Sequence, residues 1–114
     1  PKADVVVTNP EHYAVALRFD PETMSAPRLV AKGADEIAFR IRAAAKEAGV
    51  TILEAPPLAR AVYHSTKLNH EIPAGLYLAV AQVLAYVFQL RRRPAGTAVP
   101  TPPRDLTVPP ELQF

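Results

Sequence analysis

Cysteine is absent from this chain. Disulfides and thiolate metal sites are therefore excluded, and the composition suits a reducing compartment. Charge of one sign is also lacking. The net charge of +2 is too small to argue for nucleic acid as a partner. No phosphate loop or dinucleotide fingerprint occurs, and Lys32-Gly33 alone is not one. No internal repeat is apparent. The chain begins at Pro1, with no n-region followed by an apolar h-region, so no signal peptide is expected and the chain reads as a piece of something longer.

His12, His64 and His70 are the only histidines, and the last two are six residues apart, off a shared helical face. Without cysteine and with scattered acids, no metal site and no cofactor is expected. Ser65 beside His64 does not make a hydrolase pair, because adjacent helical residues point apart.

What remains is 114 residues, half apolar and about a fifth charged, enough for one domain with a real core. Prolines are plentiful, at 13, and six of them follow Arg93. The pattern predicts strands over Ala3 to Thr8, Tyr13 to Phe19, Arg28 to Lys32 and Thr51 to Leu53. A helix is predicted over Ala34 to Ala48, with Ala34, Ile37, Ala38, Ile41 and Ala45 on its apolar face and Gly49 as its stop. A second helix is predicted from Leu58 to about Lys67, after Pro56-Pro57, and a third from Pro73 to about Arg92. The expected fold is α/β: a small sheet of about four strands surrounded by three to four helices, with a Pro-rich C-terminal tail. Residues 1–93 form the expected domain. Residues 94–114 read as a disordered or polyproline-like tail in which Pro100 to Pro103 fits a PxxP pattern.

Ile72 to Leu90 carries no formal charge over 19 residues and is followed by three arginines. A membrane span would look similar. Pro73 and Gly75 shorten the helix to roughly 16 residues, about 24 Å, which favours a core helix, expected to be the most buried one. Two stripes run along it: Leu76, Val80, Val83, Val87, and Tyr77, Ala81, Leu84, Phe88. Arg91-Arg92-Arg93 is expected to cap its C-terminal end.

Asn9-Pro10-Glu11-His12 separates the first two strands. Pro10 has no N–H, so the ordinary ageing of Asn9 through the next backbone nitrogen is closed. The reverse attack remains: the Asn9 side-chain nitrogen on its own carbonyl, expelling Pro10. A fold that holds amide and carbonyl together, or twists the Asn-Pro bond, accelerates this otherwise slow cut. His12 is the nearby group that titrates near neutral pH and so the candidate proton carrier. Taken alone, Asn-Pro is also a common turn dipeptide.

The chain resembles the cytoplasmic domain of the FlhB/YscU family of flagellar and type III export switch proteins. The family hallmark, Asn-Pro-Thr-His between two strands, appears here as Asn9, Pro10, Glu11 and His12. It is preceded by ADVVVT, which ends at Thr8, and followed by YAVAL. The blocks SAPRLVAKGAD, EAPPLARAVY and IPAGLYLAVAQVLAYV continue the match in order over roughly Pro1 to Arg93, leaving the tail outside.

That resemblance implies self-cleavage between Asn9 and Pro10 by Asn cyclisation, with His12 assisting, in a single turnover rather than as a turnover enzyme. It implies an export gate that changes from rod and hook substrates to filament substrates. The flagellar branch fits better than the injectisome branch. The alternatives are an injectisome homologue, or a non-cleaving docking domain in which Asn-Pro is only a turn. Implied partners are rod- and hook-type export substrates, the hook-length ruler protein, the FlhA-type gate protein and the export ATPase complex. The full-length protein would be membrane-anchored, with this domain on the cytoplasmic side of the bacterial inner membrane. Ala26, Pro27, Ala81 and Leu84 are expected to line an apolar pocket for the hydrophobic signal of early substrates. Glu11 replaces the usual Thr. Its carboxylate beside His12 is expected to alter the rate or pH dependence of the cut, not to abolish it.

Overall fold

β-Branched side chains fill Val5 to Thr8, and β1 (Val5–Asn9) forms there. In the computed structural model, which describes residues 3–92, 101–103 and 106–113, it is followed by β2 (Tyr13–Arg18), β3 (Arg28–Ala34), α1 (Asp35–Ala48), β4 (Thr51–Glu54), α2 (Pro56–Ser65) and α3 (Tyr77–Arg92). The sheet order is β3-β2-β1-β4, with β1 antiparallel to β2 and parallel to β4. The parallel neighbour is reached by a crossover through α1. The α/β architecture expected from sequence is the one observed.

Strand alternation sorts the two faces. Val5, Val7, Val15 and Leu17 join the main core under α2 and α3, while Val6, Ala14 and Ala16 meet α1 through Ala38 and Ala45. α1 carries Asp35 and Glu36 in its first turn and Lys46 in its last, in accord with its dipole. It stops at Gly49, whose φ of 76° is the left-handed conformation glycine adopts freely. The predicted apolar face of α1 is rotated: Ile37 is 56% exposed. Small residues let the helix lie close on the sheet. At Gly33 a Cβ would fall 2.1 Å from Ile37 Cγ2, so Ile37 closes over the strand from the rim.

α2 starts at Pro56, earlier than predicted, because first-turn amides need no intrahelical partner and proline is tolerated there. A 3₁₀ turn, Ala74–Leu76, precedes α3. The stretch Ala74–Arg92 is long and apolar enough for a membrane span by length and composition, yet Val80, Val83 and Val87 lie in the core. It is not the most buried helix: α2 buries four of its ten residues, α3 five of its sixteen. The difference follows from placement. α2 lies over β1 and β2, while α3 leaves Tyr77 and Leu78 exposed.

Arg91 and Arg92 lie in the last turn of α3, in accord with its dipole; the Arg91 guanidinium also donates to Asp4 Oδ1 at 2.9 Å, and Asp4 Oδ2 accepts from the Phe19 N–H at 2.7 Å. Arg93 and Pro100 lie outside the described residues, as do residues 94–99, 104, 105 and 114 of the expected tail. The described part of the tail folds back. Val108 is 7% exposed within the main core, and Leu106 and Leu112 pack against it. Gln113 Nε2 donates to the Val108 carbonyl at 2.8 Å. Three apolar side chains anchor a segment whose proline content had suggested disorder.

Candidate functional site

Pro10, Glu11 and His12 form the turn between β1 and β2, and Asn9 paired with Tyr13 is the last rung before it. Thr8, just inside, is 3% exposed, and its carbonyl accepts from the Ala55 N–H at 2.9 Å. The Asn9 carbonyl, the one its side chain would attack, accepts a hydrogen bond from the His12 N–H at 2.8 Å. That donor draws electron density from the carbonyl carbon and is already in place for negative charge developing on the oxygen.

The turn is also held from outside. The Arg42 guanidinium on α1 donates to the Pro10 carbonyl. The Asp35 N–H donates to the His12 carbonyl at 2.9 Å. Asp35 Oδ1 lies 3.9 Å from His12 Nδ1, with both side chains largely exposed. Asp35 has φ 52°, a left-handed conformation that Asp tolerates better than most residues. Glu11 is exposed, and the carboxylate found 3.9 Å from the His12 ring is that of Asp35. A shallow cavity of about 350 Å³ beside the turn is lined by Asn9, His12, Tyr13, Ala34, Asp35 and Arg60.

Beneath it, the Tyr13 and Tyr63 rings are 4.5 Å apart, and the His64 ring lies 5.4 Å from Tyr13. Lys32 donates to the carbonyls of Tyr63 and Thr66, each at 2.9 Å, so it serves the C-terminal end of α2. Among the described residues, no group of three or more His, Asp or Glu side chains is arranged to hold a metal.

A second feature lies on the α3 side. An apolar groove of about 310 Å³ is lined by Phe19, Ser25, Ala26, Pro27, Tyr77, Ala81, Leu84, Ala85 and Phe88. It brings together Ala26 and Pro27 from the β2–β3 loop with Ala81 and Leu84 from α3. The outer stripe of α3 is thus its wall, while the inner stripe is core. The loop is tied down by the Ile72 N–H donating to the Pro27 carbonyl at 3.0 Å and by Ser25 Oγ donating to Glu71 at 3.1 Å. Sequence reading missed Asp35 and Arg42. They lie 26 and 33 residues from Asn9, and the pairing of Ala34 with Tyr13 sets the start of α1 beside the turn.

The model of the FlhB HrpN YscU SpaS family matches residues 1–87. Flagellar biosynthetic protein FlhB of Salmonella typhimurium is 56% identical over 115 residues, covering all of this chain and 30% of that protein. Its namesake in Bacillus subtilis is 46% identical over 93 residues, covering 82% of this chain and 26% of that one. The chain thus spans less than a third of the length of the curated relatives it matches. The crystal structure of the cytoplasmic domain of FlhB from Shewanella putrefaciens is similar with a TM-score of 0.83 at 50% identity, covering 100% of this chain and 89% of that one. A mutated EscU C-terminal domain gives 0.74 at 27% identity, covering 75% of this chain and 86% of that one. The similarity to the Salmonella protein runs through the Pro-rich tail, which sequence reading had left outside. With most of its length matched by the family model and all of it by flagellar relatives, the chain belongs to the FlhB HrpN YscU SpaS family.

Proposed function

We propose that this chain is the cytoplasmic switch domain of a flagellar type III export gate, and that it cuts itself once between Asn9 and Pro10. The observation that carries the reading is the hydrogen bond from the His12 N–H to the Asn9 carbonyl at 2.8 Å, inside an Asn-Pro turn. In the cut, Asn9 Nδ2 attacks the Asn9 carbonyl carbon and closes a five-membered succinimide. The carbon–nitrogen bond to Pro10 breaks, and its electron pair leaves on the proline nitrogen. One amide proton passes from Nδ2 to that nitrogen, with His12 as the carrier. Pro10 becomes a free secondary amine, and water later opens the succinimide. The reaction consumes the site, so the domain is a single-use device and not a turnover enzyme.

Cleavage permits the change from rod and hook substrates to filament substrates. The groove of Ala26, Pro27, Ala81 and Leu84 receives the apolar signal of the early ones. Its partners are those substrates, the hook-length ruler, the FlhA-type gate protein and the export ATPase complex. The likeness to a cytoplasmic domain supports a place on the cytoplasmic side of the inner membrane, in a membrane-anchored protein. Greater identity to flagellar relatives than to EscU supports the flagellar branch.

Intact mass under denaturing conditions tests the cut. The freshly purified chain is expected to give two species, one beginning at Pro10, and Asn9→Ala a single one. A single uncut wild-type chain after long incubation would defeat the reading.

A further inference from the structure

The attacked side and the leaving side of the Asn9–Pro10 bond are held by different parts of the molecule. His12 N–H fixes the Asn9 carbonyl from within the turn. Pro10 has no N–H, so its only backbone handle is its carbonyl. That handle is taken by Arg42, 32 residues downstream, in a half-buried contact. Two residues on, the His12 carbonyl is taken by the Asp35 N–H at 2.9 Å.

Asp35 and Arg42 are seven residues apart, two helical turns, and so lie on one side of α1. α1 itself is seated on the sheet by Ala38 and Ala45 and closes on β3 at Gly33. A continuous line of support therefore runs from the sheet through α1 to the residues just beyond the bond. Glu11 and His12 are exposed and would otherwise relax around their soft backbone torsions. A turn free to swing loses the close approach of amide to carbonyl on which the cut depends.

We propose that Arg42 is a positioning residue for self-cleavage, holding the leaving side of the Asn9–Pro10 bond against α1; this rests on the self-cleavage reading above. Arg42 does not touch the reacting atoms. It keeps Pro10 in place while the Asn9 amide approaches its carbonyl.

The test uses the 114-residue chain, with the uncut fraction followed by intact mass after synthesis is stopped. Arg42→Met keeps the stem and removes the donors, and is expected to slow the cut about tenfold to a hundredfold. Arg42→Lys, which keeps a cationic donor, is expected to recover most of that loss. Thermal unfolding of each variant in the Asn9→Ala background separates misfolding from mispositioning, and Arg42→Ala takes the place of the Met variant if that one does not fold. Normal unfolding with a slow cut, restored by Lys, supports the assignment. A folded Met or Ala variant that cuts at the wild-type rate overturns it and leaves self-cleavage standing. Equal slowing by Met and Lys also overturns it. A wild-type chain that never cuts removes the parent reading instead.

Discussion

The two faces of the sheet are built from different material. On one, Val5, Val7, Val15 and Leu17 meet Leu58, Val62, Val80 and Val83 from α2 and α3. On the other, the fully buried set is Val6, Ala14, Ala16, Ala38 and Ala45. The first face buries large side chains and carries most of the hydrophobic stabilisation. The second buries little and leaves an apolar hollow of about 400 Å³ between α1 and the strands. What it provides is closeness: alanine against alanine brings α1 within reach of the Asn9–Pro10 turn. One face holds the fold, and the other brings a helix against a turn.

The comparison breaks most visibly on the large-residue face. Leu17→Ala is expected to cost about 2–5 kcal/mol, read from denaturant unfolding in the Asn9→Ala background. A loss below about 1 kcal/mol would mean that this face does not dominate. Gly33→Ala is expected to cost less, about 1–3 kcal/mol, because its Cβ must displace Ile37 and lift α1. Since Asp35 and Arg42 ride on α1, the same variant is expected to slow the cut. An unchanged rate would show that the turn does not feel the helix. Ala81→Glu, on the exposed rim of the groove, is expected to change stability by less than about 0.5 kcal/mol. It should still weaken binding of a rod- or hook-type export substrate by about tenfold or more, measured by titration against the purified chain, because a carboxylate there must be desolvated. Unaltered affinity would remove the groove from the docking surface.

Periodicity made β1, β2 and the body of α1 legible, because strand alternation and Gly49 act locally. The Asn-Pro turn was legible too, since its signal resides in two adjacent residues. Ile37 was misplaced because helical spacing gives a face but not how close the helix sits, which Gly33 decides. Pro56 was read as punctuation because proline at a helix start and proline in a loop look alike without the following turn. The described part of the tail departs from what its composition suggests: among many prolines, Val108 finds the core and Leu106 and Leu112 pack against it. Arg42 and Asp35 carried no local signal at all, because their place beside the turn depends on the pairing of β3 with β2.

β1 is an interior strand, paired on both sides. A break after Asn9 would leave it as a chain end clamped between β2 and β4. Tension arriving from the preceding chain would then pull along the strand, across the hydrogen bonds of both ladders, perpendicular towards β2 and slanted towards β4. Those bonds share the load together instead of parting one by one. The cut domain would therefore still transmit force, and the severed bond would mark a permanent change of state in a part that remains mechanically whole.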